Sequence, residues 1–326
     1  MRAVFCTKYG PPEVLKIELT KRPEPNADEI LIKIIATAVN SGDVRVRGLA
    51  VEEFLKLVMR LVLGFSKPRK PILGTVLSGI VEEIGKNATR FKPGDEVFAM
   101  TGFKFGTYAE YVSIKENGNV VHKPSNASFE ESAAIIFGGS TAIHFLNKAK
   151  IESTPGKRIL IYGSTGAVGT SAIQIAKYYN AVVTAVCSES GIDLVKSLGA
   201  DDVVVYTKED FTKTDKKYDI VFDAVGKIDK EAASQCLTKG GVFVTVGGLE
   251  VASETREQLL FLKDLFETNQ LKAVIDKMYN IADIVEAHRY VDTGRKKGNV
   301  VVKITEWQEH QPLTFSEVEE SRDASP

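Results

Sequence analysis

The stretch Arg158-Ile159-Leu160-Ile161-Tyr162-Gly163-Ser164-Thr165-Gly166-Ala167-Val168-Gly169 constrains this chain more than any other. Ile159 to Tyr162 is a short apolar run of the kind buried on both faces of a parallel sheet. It breaks into small residues and enters Thr170-Ser171-Ala172-Ile173-Gln174-Ile175-Ala176-Lys177, which has helical patterning. Strand, glycine turn and helix in that order supply what a dinucleotide pyrophosphate needs. The turn is tight, the backbone can approach the phosphates, and unpaired N–H groups at the helix start point at the anion. Gly166 and Gly169 stand at the second and third positions of the usual glycine fingerprint. Ser164 stands at the first, with Gly163 one place earlier. Glycines alone would serve any tight turn; the flanking strand and helix are what make the motif specific.

The pattern changes on either side of this stretch. Residues 1 to 122 read mostly as short strands separated by turns: Arg2 to Thr7, Glu29 to Ala38, Val76 to Ile84, the strand after Pro93-Gly94, and Gly106 to Ile114 carrying Tyr108 and Tyr111. That spacing suits a small barrel or sandwich. From 123 to 270, strands alternate with helices, beginning with a helix over 128–148 opened by Ser128 and Glu131. Strands follow at 159–162, 181–187, 203–206, 218–224 and 241–246. Alternation of this kind means βαβ units and a parallel sheet, so the fold class is α/β. Asp223-Ala224-Val225-Gly226 and Val246-Gly247-Gly248 end two strands, and ligands of open parallel sheets bind beyond such ends. Residues 271 to 305 hold a helix and a last strand, Gly298 to Ile304, expected to pair back with the first part.

Other functions are set aside by composition. A formal net charge of −1 gives no reason to expect nucleic acid as a partner. Cys6, Cys187 and Cys236 are odd in number and far apart, which suits a reducing compartment rather than a disulfide framework. Met1 leads directly into a strand-like Ala3-Val4-Phe5, and no run approaches the roughly 18–20 apolar residues of a membrane span, so a cytoplasmic protein is expected. One segment in the β-rich part has helical spacing: Phe54, Leu55, Val58, Leu61, Val62 and Phe65. It suits a helix packed on its own domain, a lid for an apolar substrate, or membrane-surface contact helped by Lys67, Arg69 and Lys70.

Several further motifs occur in order: Val39-Asn40-Ser41-Gly42-Asp43, Gly74 to Gly85, Phe91-Lys92-Pro93-Gly94-Asp95-Glu96-Val97, Gly106-Thr107-Tyr108-Ala109-Glu110-Tyr111, Ser140-Thr141-Ala142 and Leu198-Gly199-Ala200-Asp201. With the glycine turn, this set resembles the medium-chain dehydrogenase/reductase superfamily, above all its zinc-independent quinone oxidoreductase-like branch, over residues 1–305. The resemblance implies a GroES-like β-rich catalytic domain from residues 1–122 and 271–305. A doubly wound Rossmann domain over 123–270 and a site in the cleft between the two complete the expected fold. The polar tail, 306–326, is expected to be disordered. A homodimer is also expected from the family.

Where zinc-dependent relatives carry a ligand cysteine and a Gly-His-Glu motif, this chain has Asn40 and Gly74-Thr75-Val76, and the four-cysteine zinc lobe is missing. An amide, a hydroxyl and an isopropyl group do not make a zinc site, so no metal is expected. Without one, the accessible reaction is hydride delivery from a nicotinamide to a carbon activated by a conjugated carbonyl. A small apolar quinone or α,β-unsaturated carbonyl fits. The resemblance places Asn40, Asp43 and Tyr108 at the reacting end, with Tyr108 a proton donor. It places Thr141, Ala224, Val225, Gly247, Gly248 and Leu249 near the nicotinamide, and Gly163, Ser164, Thr165, Gly166, Ala167 and Val168 at the pyrophosphate. Lys297 and Asn299 match a carboxyl-terminal segment that reaches back to the cofactor. Cys187 and Ser188 stand where NAD enzymes place a ribose-binding carboxylate, and Ser188 and Tyr206 match phosphate-contacting positions, so NADPH is expected over NADH, although Glu189 could serve the ribose. A catalytically weak NADPH-binding protein and a zinc alcohol dehydrogenase with unusual ligands are the rival readings.

Overall fold

The computed structural model describes residues 1–50, 53–153, 155–248 and 250–304, with 53–55 described by backbone only. The amino-terminal part contains β1 (Arg2–Cys6), β2 (Leu15–Leu19), β3 (Glu29–Val39), α1 (Ser41–Gly48), α2 (Glu53–Leu63), β4 (Val76–Ile84), β5 (Glu96–Met100), β6 (Tyr111–Lys115) and β7 (Val120–His122). Then α3 (Phe129–Lys148) leads into β8 (Arg158–Tyr162), α4 (Ala167–Tyr178), β9 (Val182–Cys187), α5 (Ile192–Ser197), β10 (Asp202–Val205), β11 (Tyr218–Asp223), α6 (Lys230–Cys236), β12 (Leu237–Thr245) and α7 (Arg256–Glu267). The chain closes with β13 (Ile275–Asn280), α8 (Ile284–Asp292) and β14 (Asn299–Lys303).

Five parallel strands in the order β10-β9-β8-β11-β12 form the Rossmann-type sheet. The order reverses between β8 and β11, so the crevice for a ligand opens where Tyr162 and Asp223 end adjacent strands. The other large sheet runs β13-β14-β3-β4-β5-β7, with β6 also on β3. There β14 pairs antiparallel with β3, Val300 opposite Val39, so the last strand does return to the first part of the chain. The helix α3 stands between the sheets: Ile135, Ile136, Phe145 and Leu146 share one core with Phe98 and Met100 of β5 and with Ile159 and Ile161 of β8. A second core under β3 and β4 contains Ile30, Ile32, Leu77, Tyr108 and Val302. No helix among the described residues is long and apolar enough to cross a membrane.

Four expectations change. The strand expected over 106–114 starts only at Tyr111. Tyr108 lies before it in an irregular crossing, its N–H on Leu73 O at 3.1 Å and its C=O receiving Val4 N–H at 2.8 Å. Gly106 at φ +101° bends the backbone there. The helix α1 is not among the expected elements; Asn40, expected at the reacting end, is its N-cap. The helix expected over 51–65 ends at Leu63, its residues 51 and 52 lying outside the described residues, and Thr141 sits in the middle of α3. Leu249 and the tail from 305 lie outside the described residues.

Candidate active site

The glycine turn joins β8 to α4. Gly163, at φ +73°, reverses the chain, and Ser164 is fully buried with its hydroxyl on Val186 O at 2.9 Å. That bond fixes the turn to β9, so the serine in the first glycine's place is a structural anchor. A Cβ on Gly169 would lie 2.3 Å from Gly163 O and 2.6 Å from Ser164 Cα, so helix and turn touch there. A Cβ on Gly166 would meet only Gly163 O, at 3.6 Å, which leaves the space above it open. Gly166 caps α4 without a side-chain hydrogen bond. The amides of the first helical turn therefore remain available to an anion, as a pyrophosphate requires. Thr165 closes the turn on the carboxyl-terminal segment: its carbonyl accepts Gly298 N–H at 2.7 Å.

That docking brings Lys297 to the end of β9. Its ammonium donates to Ser190 O at 2.7 Å, and Ser188 Oγ lies 3.2 Å from Ser190 Oγ. Glu189 is held by Lys208 at 2.7 Å, which pairs that carboxylate with a cation. A cavity of about 440 Å³ opens beside it, lined by Tyr162, Tyr206, Thr207, Lys208, Phe211 and the carboxylates Glu209 and Asp210. Asn299, by contrast, is buried and donates to Val274 O, so its side chain serves the segment's own packing.

Across the switch point, the buried Asp223 organises two strand ends. One oxygen accepts the amides of Val225 and Gly226, and the other accepts Ile228 N–H and the Thr245 hydroxyl at 3.0 Å. This holds Val225 over Gly163, where an added Cβ would lie 2.5 Å from Val225 Cγ1. Ala224 is buried, Gly247 packs on Gly226, and Gly248 at φ +83° faces open space. Sequence reasoning marked this loop by its small residues and missed the carboxylate that shapes it.

The wall in the β-rich part is built on Asn40. Its Oδ1 accepts Gly42 and Asp43 N–H at 2.8 and 3.1 Å, Asp43 returns a bond to Asn40 N–H, and Asn40 Nδ2 donates to Thr75 Oγ1 at 2.8 Å. Asp43 is wholly buried and accepts the Tyr108 hydroxyl at 2.9 Å, while its Oδ1 has no partner in hydrogen-bond geometry. Burial pushes the Asp43 carboxyl up to about 7, against the pull of the Asn40 amide and the Tyr108 hydroxyl. Burial and the Asp43 charge raise the Tyr108 phenol well above its ordinary range. Behind Tyr108, edge to face, lies His288. Burial, and then the Arg47 charge, depress the His288 imidazole to about 3. Arg47 lies 3.1 Å from its Nδ1, binds Asp292 at 2.7 Å and donates to Gly10 O, locking α1 to α8. Neutral His288 therefore accepts at Nδ1, which leaves its Nε2 proton without a partner. Glu254, half-buried against Gly102, has its carboxyl raised by burial and raises Asp43 in turn. Nothing local in the sequence marked Arg47, His288 or Glu254.

The donor set at the positions of the expected zinc ligands does not fit that metal. The positions of the expected cysteine and histidine are Asn40 and Thr75, which satisfy each other, and Val76 is buried hydrocarbon. No anionic or imidazole donor stands among the three.

Comparison with known proteins shows which family the chain resembles. Residues 26–125 match the family model described as alcohol dehydrogenase GroES-like domain, and residues 167–301 match zinc-binding dehydrogenase. The 2-methylene-furan-3-one reductase of Solanum lycopersicum is 35% identical over 321 residues, covering 93% of this chain and 79% of that protein. The chloroplastic NADPH-dependent alkenal/one oxidoreductase of Arabidopsis thaliana is 32% identical over the same shares. Among solved structures, the quinone oxidoreductase from Coxiella burnetii superposes with a TM-score of 0.83 at 28% identity, over 93% of this chain and 99% of that one.

Proposed function

The chain belongs to the medium-chain dehydrogenase/reductase superfamily, in its quinone oxidoreductase-like branch, and from that membership we propose that it is an NADPH-dependent reductase of quinones or α,β-unsaturated carbonyls working without zinc. The observation that carries the reading is the Asn40–Thr75 hydrogen bond, which fills the metal-ligand positions with neutral groups while the glycine turn stays open. When bound, the reduced nicotinamide supplies the hydride.

The residues of this chain bind and orient. Gly163 to Val168 would hold the pyrophosphate against uncapped helix amides. Ser188, Tyr206 and Lys297 would hold the adenosine 2′-phosphate, with Glu189 drawn off by Lys208. Thr141, Ala224, Val225, Gly247 and Gly248 would bound the ring. Asp43 and Tyr108 are positioning residues: each is buried and spent on the other, so they fix α1 and present Asn40. The proton for the reduced product then comes from water or the cleft surface, and the active form is taken to be a homodimer.

The test is NADPH consumption by purified protein against a panel of quinones and enones, with metal analysis of the same sample. Turnover in metal-free protein is expected. Inertness toward the whole panel, or activity that tracks stoichiometric zinc, overturns the reading.

A further inference from the structure

The excursion from Ser41 to Gly74 leaves the fold at Asn40 and returns at Thr75, and the hydrogen bond between those side chains ties its two ends at the candidate site. Its outer part is α2 and residues 64–72. The helix turns Met59 and Leu63 inward, onto the core that holds Val46 and Leu73. Its other face leaves Leu57, Val58, Leu61 and Val62 at 60, 52, 59 and 60% exposed, and Phe65, just past the helix, at 66%. Single exposed apolar residues are ordinary, but five at helical spacing form a continuous stripe that nothing in the chain covers among the described residues.

Charge frames the stripe. α2 opens on Glu53, after Glu52; beyond it, from residue 54 to 81, the chain carries Lys56, Arg60, Lys67, Arg69 and Lys70 and no further aspartate or glutamate, although the whole protein has a net charge of −1. Arg69 braces the segment through Leu61 O at 2.9 Å, and Arg60 does so through Phe65 O. Lys67 and Lys70 are exposed. A second copy docking here would set a segment with five cations and one helix acid, Glu53, against the same segment, so pairing of copies is the poorer fit. An apolar stripe rimmed by cations is what an anionic bilayer surface accepts, and α2, with 11 residues, is long enough to lie in that surface and too short to cross it.

We propose that this face docks on anionic lipid, with Leu57, Val58, Leu61, Val62 and Phe65 inserted below the headgroups and the basic residues on the phosphates. The docking itself does not depend on the reductase reading.

The test is co-sedimentation of the full chain, without nucleotide, with phosphatidylcholine vesicles with and without phosphatidylserine. Binding to the anionic vesicles alone is expected, reversed by high salt. K67Q/K70Q should weaken it about thirtyfold, the effect of removing two surface-adjacent cations. L61Q/V62Q should also weaken it, while both variants keep native circular dichroism and turnover of a water-soluble quinone. Protein that stays in the supernatant with anionic vesicles overturns the proposal. So does binding that neither variant weakens, or a dimer that L61Q/V62Q dissolves and vesicles do not compete for. Because turnover is read separately, loss of docking with turnover intact leaves the reductase reading standing, and docking without turnover does the reverse.

Discussion

Asn40 Nδ2 donates to Thr75 Oγ1 across 2.8 Å, joining two residues that are 35 positions apart. The same asparagine caps α1 through its Oδ1, so one side chain sets both a helix start and the base of the excursion that carries α2.

Asn40→Ala removes both functions, whereas Thr75→Val removes only the tie. We expect the alanine variant to lose about 2 kcal/mol of stability, combining a lost cap with a lost buried hydrogen bond. The valine variant should lose about 1 kcal/mol. Urea unfolding of both decides it; equal losses would mean that the cap contributes nothing.

The glycine turn separates fold from binding. Gly166 has φ −75°, which alanine adopts freely, and an added methyl meets nothing of the protein closer than 3.6 Å. Gly166→Ala should fold normally and bind NADPH at least about tenfold more weakly, because the methyl takes space the pyrophosphate needs. Gly169→Ala drives a methyl to 2.3 Å from Gly163 O and should lower the melting temperature instead. Calorimetric titration beside thermal melts tests the contrast. A Gly166→Ala protein with unchanged affinity would remove the pyrophosphate from this turn.

Much of this was legible in the residues, and the remainder has identifiable physical reasons. β8 and its turn were readable because strand, turn and helix are contiguous and each depends on local pattern. The capping box of α1 was also local, Asn40 with Asp43 three residues on, but Gly42 in the first turn is a poor helix former and hid it. Tyr108 was placed on a strand because aromatic alternation looks alike in a strand and in an extended crossing; only the contacts to Val4 and Leu73 decide between them. The Arg47–His288 contact joins residues 241 apart and depends on how α8 docks on α1, which no local pattern contains.

Lys297 tests the coenzyme assignment. Its backbone amide is held by Asp276 at 2.8 Å and its ammonium by Ser190 O at 2.7 Å, so the cation is fixed beside Ser188. Lys297→Gln should weaken NADPH binding about tenfold and barely change NADH binding, since only the former carries a phosphate there. Titrating both coenzymes into both proteins gives the answer. An equal loss for the two would place Lys297 on a feature they share.

Asp43 gives a pH signature with a definite sign. Its carboxyl is raised from 3.8 to about 7, so between those values the folded chain holds a proton that the unfolded chain has released. Folding stability therefore falls as pH rises through that window, by an upper bound of about 4 kcal/mol, and levels off above it. His288 acts the other way: lowered from 6.5 to about 3, it stays neutral in the fold and costs stability as pH falls below 6.5. The two slopes offset each other in the parent protein. Asp43→Asn keeps acceptors for Tyr108 and Asn40 but cannot hold the extra proton, so it removes the Asp43 slope and leaves those of His288 and of the other shifted groups, Glu254 among them, in place. Relative to the parent, the variant should gain stability as pH rises from 4 to 7. The amide's NH2 group also meets the Gly74 N–H, which adds a cost that does not vary with pH, so the slope and not the absolute value is diagnostic. Urea unfolding at a series of pH values measures it. Parallel curves for the two proteins would show that Asp43 is ionised in the fold throughout, and that the Tyr108 hydroxyl and the Asn40 amide outweigh its burial.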